Sequence, residues 1–158
     1  MKPLPHDYEM ELTGGPQGYA TISAAGMPDL TTAPPREFDG PGDAWSPEHL
    51  LLASVSSCFL FTFRAVAKAS QAAFLDVDAR TWGQVSRAGG VTRFTEIVVR
   101  ATVTAAPGGD IGLLRRAIDK TTTHCLVSSS LATPVRVEAV VHTAGASGTV
   151  DERFKRTA

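Results

Sequence analysis

The sequence has little cysteine and no clustered histidine, and both shortages exclude classes of protein. Its 158 residues include two cysteines, Cys58 and Cys125, and four scattered histidines, of which only His124 adjoins a cysteine. A disulfide-stapled secreted scaffold or a zinc cage needs more sulfur or a tighter group of histidines. We therefore expect no metal and no other cofactor.

Neither sign of charge is in excess. Fifteen lysines and arginines stand against sixteen aspartates and glutamates, which gives a formal net charge of -1 at pH 7. Such a balance provides no general field that would attract phosphate backbones or anionic lipids. Nucleic acid and membrane surfaces are therefore unexpected partners.

Long hydrophobic runs are missing as well. The most apolar stretch, residues 50–63, has no formally charged side chain, but it is shorter than the roughly 20 residues that a membrane span needs. The start, MKPLPHDYEM, has no apolar segment of the kind found in signal peptides. These features predict a cytoplasmic protein.

The composition provides the material for one ordinary hydrophobic core. Hydrophobic residues make up 43% of the chain and charged residues 20%, which favours a folded domain over disorder. We predict one domain over residues 1–143. Residues 144–158 mix small and charged side chains without apolar periodicity, and we expect a C-terminal tail there.

The pattern of elements is typical of an α+β protein. β-prone runs bounded by turn residues predict strands, and apolar residues that recur with a period near 3.6 predict helices. An amphipathic helix is predicted from a cap at Asp110 to about Thr121. The predicted strands are residues 8–12, 18–24, 30–33, 75–86, 92–105 and 135–141.

A long central helix is the strongest local signal. Ser46 can cap it, Pro47 suits its first position, and Glu48 places a negative charge at the positive end of the helix dipole. Nothing breaks the helix over residues 50–69, and its apolar side chains point in nearly every direction. Such a helix must be buried on nearly all sides, and burial against a second copy of the chain would achieve this.

Each cysteine has two interpretations when taken alone. Free cysteines are commonly buried as small hydrophobic residues. Two thiols in one small domain also allow peroxidase chemistry, in which one thiolate attacks a peroxide O–O bond, becomes a sulfenic acid and is captured by the second thiol as a disulfide. The spacing of Cys58 and Cys125 does not decide between these interpretations.

The residues around the two cysteines resemble two segments of the OsmC/Ohr family, named for osmotic induction and organic hydroperoxide resistance. Residues 46–59, SPEHLLLASVSSCF, resemble its Pro-Glu-x-Leu-x-x-Ala-x-x-x-x-Cys-Phe helix. Residues 125–131, CLVSSSL, resemble its Cys-Pro-Val-Ser-Asn-x-Leu segment. The order of the predicted elements is also similar, and the resemblance covers residues 8–141.

The resemblance implies an OsmC-like fold with antiparallel sheets around a long buried central helix, in an intertwined homodimer. It also implies a cysteine peroxidase that reduces organic hydroperoxides and is regenerated by a dithiol donor, such as a lipoylated protein. By this resemblance Cys58 is the nucleophile, Cys125 the resolving thiol and Glu48 the carboxylate of the thiolate network. The alternative for Glu48 is a charge that only stabilises its own helix end.

The family's arginine is where this sequence departs from the pattern. In the Ohr branch it follows the Gly-Gly of the first turn, where this chain has Pro16. In the OsmC branch it stands just before a Phe-acid-Gly segment, residues 38–40 here, so Arg36 is displaced by one residue. A buried thiol needs a cation or a donor to remain nucleophilic, because desolvation raises its pKa. Arg36 is the candidate, and the alternative is a solvated loop charge.

Other residues and another function are also open. His124 is a second candidate donor, with a packing or surface role as its alternative, and Trp45 and Trp82 are either pocket-lining or core residues. The missing arginine makes a noncatalytic OsmC-fold protein credible, one that binds a small apolar ligand at the dimer interface.

Helix geometry limits what Glu48 can do. Ten residues separate it from Cys58, and at 1.5 Å per residue the two Cα atoms are about 15 Å apart along a continuous helix. A glutamate side chain cannot cross that gap. We therefore expect that Glu48, if it serves a thiolate network, serves Cys58 of the other subunit.

Overall fold

A computed structural model describes residues 3–144, and contacts divide the chain between Leu51 and Leu52 into two compact units. The elements in chain order are β1 Glu11–Gly14, β2 Ala20–Ser23, β3 Leu30–Thr32, a 3-10 turn Arg36–Phe38, α1 Pro47–Ala69, β4 Phe74–Ala88, β5 Val91–Ala105, α2 Ile111–His124, α3 Leu126–Ser129 and β6 Val135–Thr143. The α+β class predicted from the sequence is confirmed.

The first unit is built on an antiparallel meander of β1, β2 and β3. The chain after β3 is tied to the residues that precede α1. Thr32 Oγ1 donates to the Trp45 carbonyl at 2.7 Å, and the Ala33 N–H donates to the same oxygen at 3.0 Å. These two bonds fix the point from which α1 begins.

The start of α1 matches its sequence signals. Ser46 is fully buried, and its Oγ accepts a hydrogen bond from the His49 N–H at 3.3 Å. Pro47 is the first helical residue, and Glu48 is the acidic residue of the first turn. The predicted cap is therefore confirmed, and the helix runs for 23 residues to Ala69.

The second unit contains a long hairpin, β4 and β5, of 15 residues each. Gly89 and Gly90 at its tip have φ of +61° and +81°, values that favour glycine. Gly83 is required for a different reason, because an added Cβ would lie 2.7 Å from the Phe94 ring. The third strand of this sheet is β6, which pairs with β5.

One face of this sheet forms the core with the helices. Alternate residues of β5 from Ile97 to Ala105 are buried, as expected for a strand with one covered face. α1 contributes residues four apart, Val55, Phe59, Phe63 and Ala67, and α2 contributes its apolar face. This packing holds the part of α1 after Leu51 and the end of α2 in the second unit, where the two cysteines lie.

The direction of the last strand corrects the expectation of purely antiparallel sheets. β6 runs parallel to β5. The reason is the connection, because α2 and α3 lie between the two strands and return the chain in the same direction. Parallel neighbours need a crossover of this kind, whereas a tight turn can join only antiparallel strands.

The expectation that the central helix is buried on nearly every side stays a prediction, because it includes burial against a second copy of the chain. Only one face of α1 is buried within this chain, and Phe61 is 61% exposed. The apolar helix is longer than the run of residues 50–63, and by length and composition alone it would suffice for a membrane span. Its buried face packs against β5, as in the core helix of a globular protein.

The domain boundaries stay a prediction. The expected tail, residues 144–158, lies outside the described residues except for Ala144. The single domain expected over residues 1–143 is likewise a prediction, and the structure describes its residues from 3 onward as the two units given above.

Candidate active site

Cys58 lies on α1, one turn before Thr62 and half-buried. Its Sγ accepts a hydrogen bond from the Val127 N–H at 3.5 Å and lies 3.9 Å from Thr62 Oγ1. These partners come from two elements, α1 itself and the short helix α3. The sulfur is therefore held by neutral donors within the second unit.

Cys125 lies at the junction of α2 and α3. It is the C-cap of α2 and the N-cap of α3, with φ -69° and ψ 110°, so the chain turns at this residue. Its side chain is 2% exposed. Ser128 Oγ donates a hydrogen bond to Cys125 Sγ at 3.2 Å.

The two thiols interact, and their pKa values move apart. Burial acts to raise the pKa of Cys58, but hydrogen bonds from the Cys125 thiol and from the Val127 N–H outweigh burial, and the pKa of Cys58 lies below its usual range. Burial raises the pKa of Cys125, and its hydrogen bond to Cys58 raises it further. Of the two thiols, Cys58 is therefore the one that ionises more readily.

Leu126 provides a donor that the family segment lacks. The resembled motif has proline directly after the second cysteine, whereas this chain has Leu126, whose N–H also hydrogen-bonds Cys58 and lowers its pKa. The Leu126 side chain is 72% exposed. At this position the backbone contributes to the site, and the side chain faces solvent.

Glu48 and Arg36 belong to the first unit, and the structure leaves their predicted roles untested. Among the described residues, Glu48 Oε2 is buried and has no hydrogen-bond partner. Arg36 begins the 3-10 turn, and its side chain packs along Gly42, where an added Cβ would lie 2.1 Å from Nε.

An apolar cavity of about 410 Å³ lies within the first unit. Its lining is almost entirely hydrophobic, from the β1–β3 meander, the prolines that follow it and the first turn of α1. Glu48 is the charged residue among those that line it. The cavity is therefore suited to an apolar group that brings a hydrogen-bond donor to the carboxylate.

The other residues singled out from the sequence lie apart from this chemistry. His124 Nδ1 lies 2.8 Å from the Lys120 carbonyl and 2.9 Å from Thr123 Oγ1, so its ring is tied to its own helix. Trp45 is half-exposed and packs edge-on against His49. Among residues 3–144, no three His, Cys, Asp or Glu side chains come together as metal ligands would.

The family resemblance predicted that Cys58 and Cys125 act as a pair, but the sequence did not predict the hydrogen-bond donors around the two sulfurs. The N–H groups of Leu126 and Val127 could not be found from side-chain identity, because any residue except proline carries this donor. Ser128 was visible as the third residue after Cys125, a spacing at which side chains meet on a helix. That spacing was the one available signal.

Comparison with known proteins identifies the family of this chain. The family model described as OsmC-like protein matches residues 40–140, which include both cysteines. The chain belongs to the OsmC family. The predicted resemblance and the OsmC-like fold are thereby confirmed.

Individual OsmC-like relatives are distant in sequence and close in fold. The uncharacterized protein YmaD of Bacillus subtilis is 28% identical over 100 residues, 61% of this chain and 67% of YmaD. An OsmC-like protein of unknown function from Vibrio cholerae has a TM-score of 0.80 at 16% identity, over 86% of this chain and all of that one.

Two further proteins of this fold are named for resistance to organic hydroperoxides. An organic hydroperoxide resistance protein from Elizabethkingia anophelis has a TM-score of 0.71 at 21% identity, over 90% of this chain and 99% of that one. An organic hydroperoxide resistance protein OsmC from Legionella pneumophila has a TM-score of 0.67 at 23% identity, over 88% and 98%.

Proposed function

We propose that this OsmC-family chain is a cysteine peroxidase that reduces organic hydroperoxides to alcohols. The observation that carries the proposal is the pair of interacting thiols, in which the pKa of Cys58 is lowered and the pKa of Cys125 is raised. A thiolate is the nucleophilic form of cysteine, and a resolving thiol in contact with it allows disulfide formation. Two proteins of the same fold are named for organic hydroperoxide resistance, which supports organic hydroperoxides as the substrate class.

The proposed peroxidase cycle uses Cys58, Cys125, the hydroperoxide and a dithiol reductant. The Cys58 thiolate attacks the terminal oxygen of ROOH, the O–O bond breaks, and the alkoxide takes a proton to leave as ROH. The Cys125 sulfur then attacks the Cys58 sulfenic acid, the S–O bond breaks, and hydroxide leaves with the Cys125 proton as water. A dithiol donor, such as a lipoylated protein, reduces the resulting disulfide and becomes oxidised itself.

Turnover with a dithiol tests the proposal. We expect wild-type protein with dithiothreitol to consume cumene hydroperoxide at least tenfold faster than dithiothreitol alone, and Cys58→Ser to abolish the gain. Cys125→Ser should leave one oxidation event, trapped as a sulfenic acid by dimedone at Cys58. Equal residual turnover in the two variants would overturn the assignment of roles.

A second candidate function is the binding of a small apolar ligand without catalysis. The apolar cavity of the first unit, with Glu48 at its lining, supports this candidate. Cumene hydroperoxide would then leave both thiols free, and native mass spectrometry would find an apolar ligand bound to the protein. Loss of both thiols on treatment would contradict a purely noncatalytic role.

A further inference from the structure

The two sulfurs differ sharply in access. Cys58 is half-buried on α1, whereas Cys125, at the junction of α2 and α3, is only 2% exposed. An external thiol approaching the oxidised protein therefore reaches the Cys58 sulfur. In thiol–disulfide exchange the sulfur that is not attacked leaves as a thiolate. Cys125 is then the leaving group of the reductive step.

A buried leaving thiolate needs a donor. Burial raises the pKa of Cys125, and exchange slows as the pKa of the leaving thiol rises. The structure places one side-chain hydroxyl against this sulfur, because Ser128 Oγ donates to Cys125 Sγ at 3.2 Å. Ser128 lies three residues beyond Cys125, so the short helix α3 fixes the contact.

We propose that Ser128 is a catalytic residue of the reductive half-reaction, where its hydroxyl stabilises the Cys125 thiolate that leaves when a dithiol attacks Cys58. The inference rests on the proposed peroxidase function for its place in a cycle. A thiolate of the dithiol donor attacks Cys58 Sγ, the Cys58–Cys125 bond breaks, and its electron pair goes to Cys125. The donor's second thiol then displaces Cys58 as a thiolate, and the donor leaves as its own disulfide.

Pre-formed disulfide protein gives the direct test. The wild type and Ser128→Ala are oxidised with one equivalent of cumene hydroperoxide, freed of excess oxidant, and mixed with dithiothreitol. Samples are quenched with acid at set times, and the fraction of protein that still carries the disulfide is measured by mass spectrometry. We expect Ser128→Ala to lower the second-order rate constant of reduction about tenfold or more, because hydrogen bonds to a charged group are the strong ones. Ser128→Thr, which keeps a hydroxyl, should restore most of the rate.

Two controls separate this role from a structural one. Ser129→Ala, one residue further and exposed, should reduce at the wild-type rate. Oxidation of Cys58 by hydroperoxide should be slowed less than reduction in Ser128→Ala, since the Ser128 hydroxyl bonds the Cys125 sulfur, whereas a distorted site would slow both half-reactions alike. A reduction rate in Ser128→Ala equal to wild type would overturn the proposal.

A monothiol tests which sulfur of the Cys58–Cys125 disulfide an external thiol attacks. Glutathione added to the oxidised wild type and quenched with acid should be found by peptide mass spectrometry as a mixed disulfide on Cys58. A mixed disulfide on Cys125 would contradict the inference.

The test also distinguishes this inference from the function on which it rests. If cumene hydroperoxide forms no disulfide, the proposed function fails, and the same protein can be oxidised with diamide, which oxidises dithiols directly. The reduction rates of wild type and Ser128→Ala then test Ser128 alone. If diamide also yields no Cys58–Cys125 disulfide, the inference about Ser128 is overturned.

Discussion

At the scale of single residues, the chemistry of this chain depends on where one proton resides. Cys58 accepts hydrogen bonds from α3 and from Cys125, and its pKa falls in spite of burial, while the pKa of Cys125 rises. The donors around Cys58 that the structure identifies are neutral. The role of Arg36 as the cation of the thiolate network stays a prediction.

The lowered pKa predicts how Cys58 responds to pH. Its thiolate persists to lower pH than that of an ordinary thiol, whose pKa is near 8.5, so alkylation by iodoacetamide should slow at a lower pH for Cys58 than for a free cysteine peptide. Peptide mass spectrometry after timed alkylation gives the midpoint for Cys58. Cys125→Ala removes one donor and should move the midpoint upward. A wild-type midpoint at or above about 8.5 would contradict the account.

The Leu126 N–H can be removed without changing much else. Proline suits the first residue of a helix, and Cys125 already has the extended conformation that a residue before proline requires. Leu126→Pro should therefore raise the pKa of Cys58 and lower its alkylation rate at pH 7 by about tenfold or more, the loss of one hydrogen bond to a charged group. Leu126→Ala keeps the N–H and should alkylate like wild type. Equal rates in the two variants would show that this N–H does not act on Cys58.

At the scale of elements, α1 leaves one large aromatic side chain uncovered. Its buried residues lie on one side, and Phe61 on another side is 61% exposed. We propose that the side of α1 that carries Phe61 packs against a second copy of the chain, since the family resemblance implies a homodimer.

Sedimentation tests that proposal. At low micromolar concentration the protein should sediment as about twice 16.7 kDa. Phe61→Glu should shift it toward the monomer, because a charge on the covered face would be buried without a partner. Val91→Glu, at a site of nearly equal exposure on the hairpin tip, should leave the dimer intact. A stable wild-type monomer would refute the proposal.

The elements show what a sequence can predict and what it cannot. The start of α1 was predictable because Ser46, Pro47 and Glu48 act locally, within one turn. The direction of β6 was not, because it depends on where α2 and α3 return the chain. The meeting of Cys58 with Cys125 came from the family resemblance, and the backbone donors of α3 left no signal, since every residue type except proline has an N–H.

At the scale of the whole molecule, Glu48 remains without a hydrogen-bond partner for its buried oxygen among the described residues. Along the continuous α1 it is ten residues from Cys58 of its own chain, about 15 Å at 1.5 Å per residue. We propose that Glu48 serves Cys58 of the other subunit.

Mixed dimers test whether Glu48 serves Cys58 of its own chain or Cys58 of the other subunit. A heterodimer of Glu48→Ala and Cys58→Ser chains has one intact site if Glu48 acts across the interface, and its turnover should be about half that of wild type. If Glu48 serves its own chain, the one remaining Cys58 lacks its carboxylate. Turnover at half the level of the Glu48→Ala homodimer would then contradict sharing between subunits.

The central claim is that Cys58 and Cys125 form a peroxide-reactive pair, and a stoichiometric titration tests it most directly. Reduced protein is mixed with one equivalent of cumene hydroperoxide per chain, free thiols are counted, and the product is mapped by mass spectrometry. We predict that both thiols are lost and that a Cys58–Cys125 disulfide forms within one chain. Two free thiols per chain after the hydroperoxide has had time to react would contradict the account.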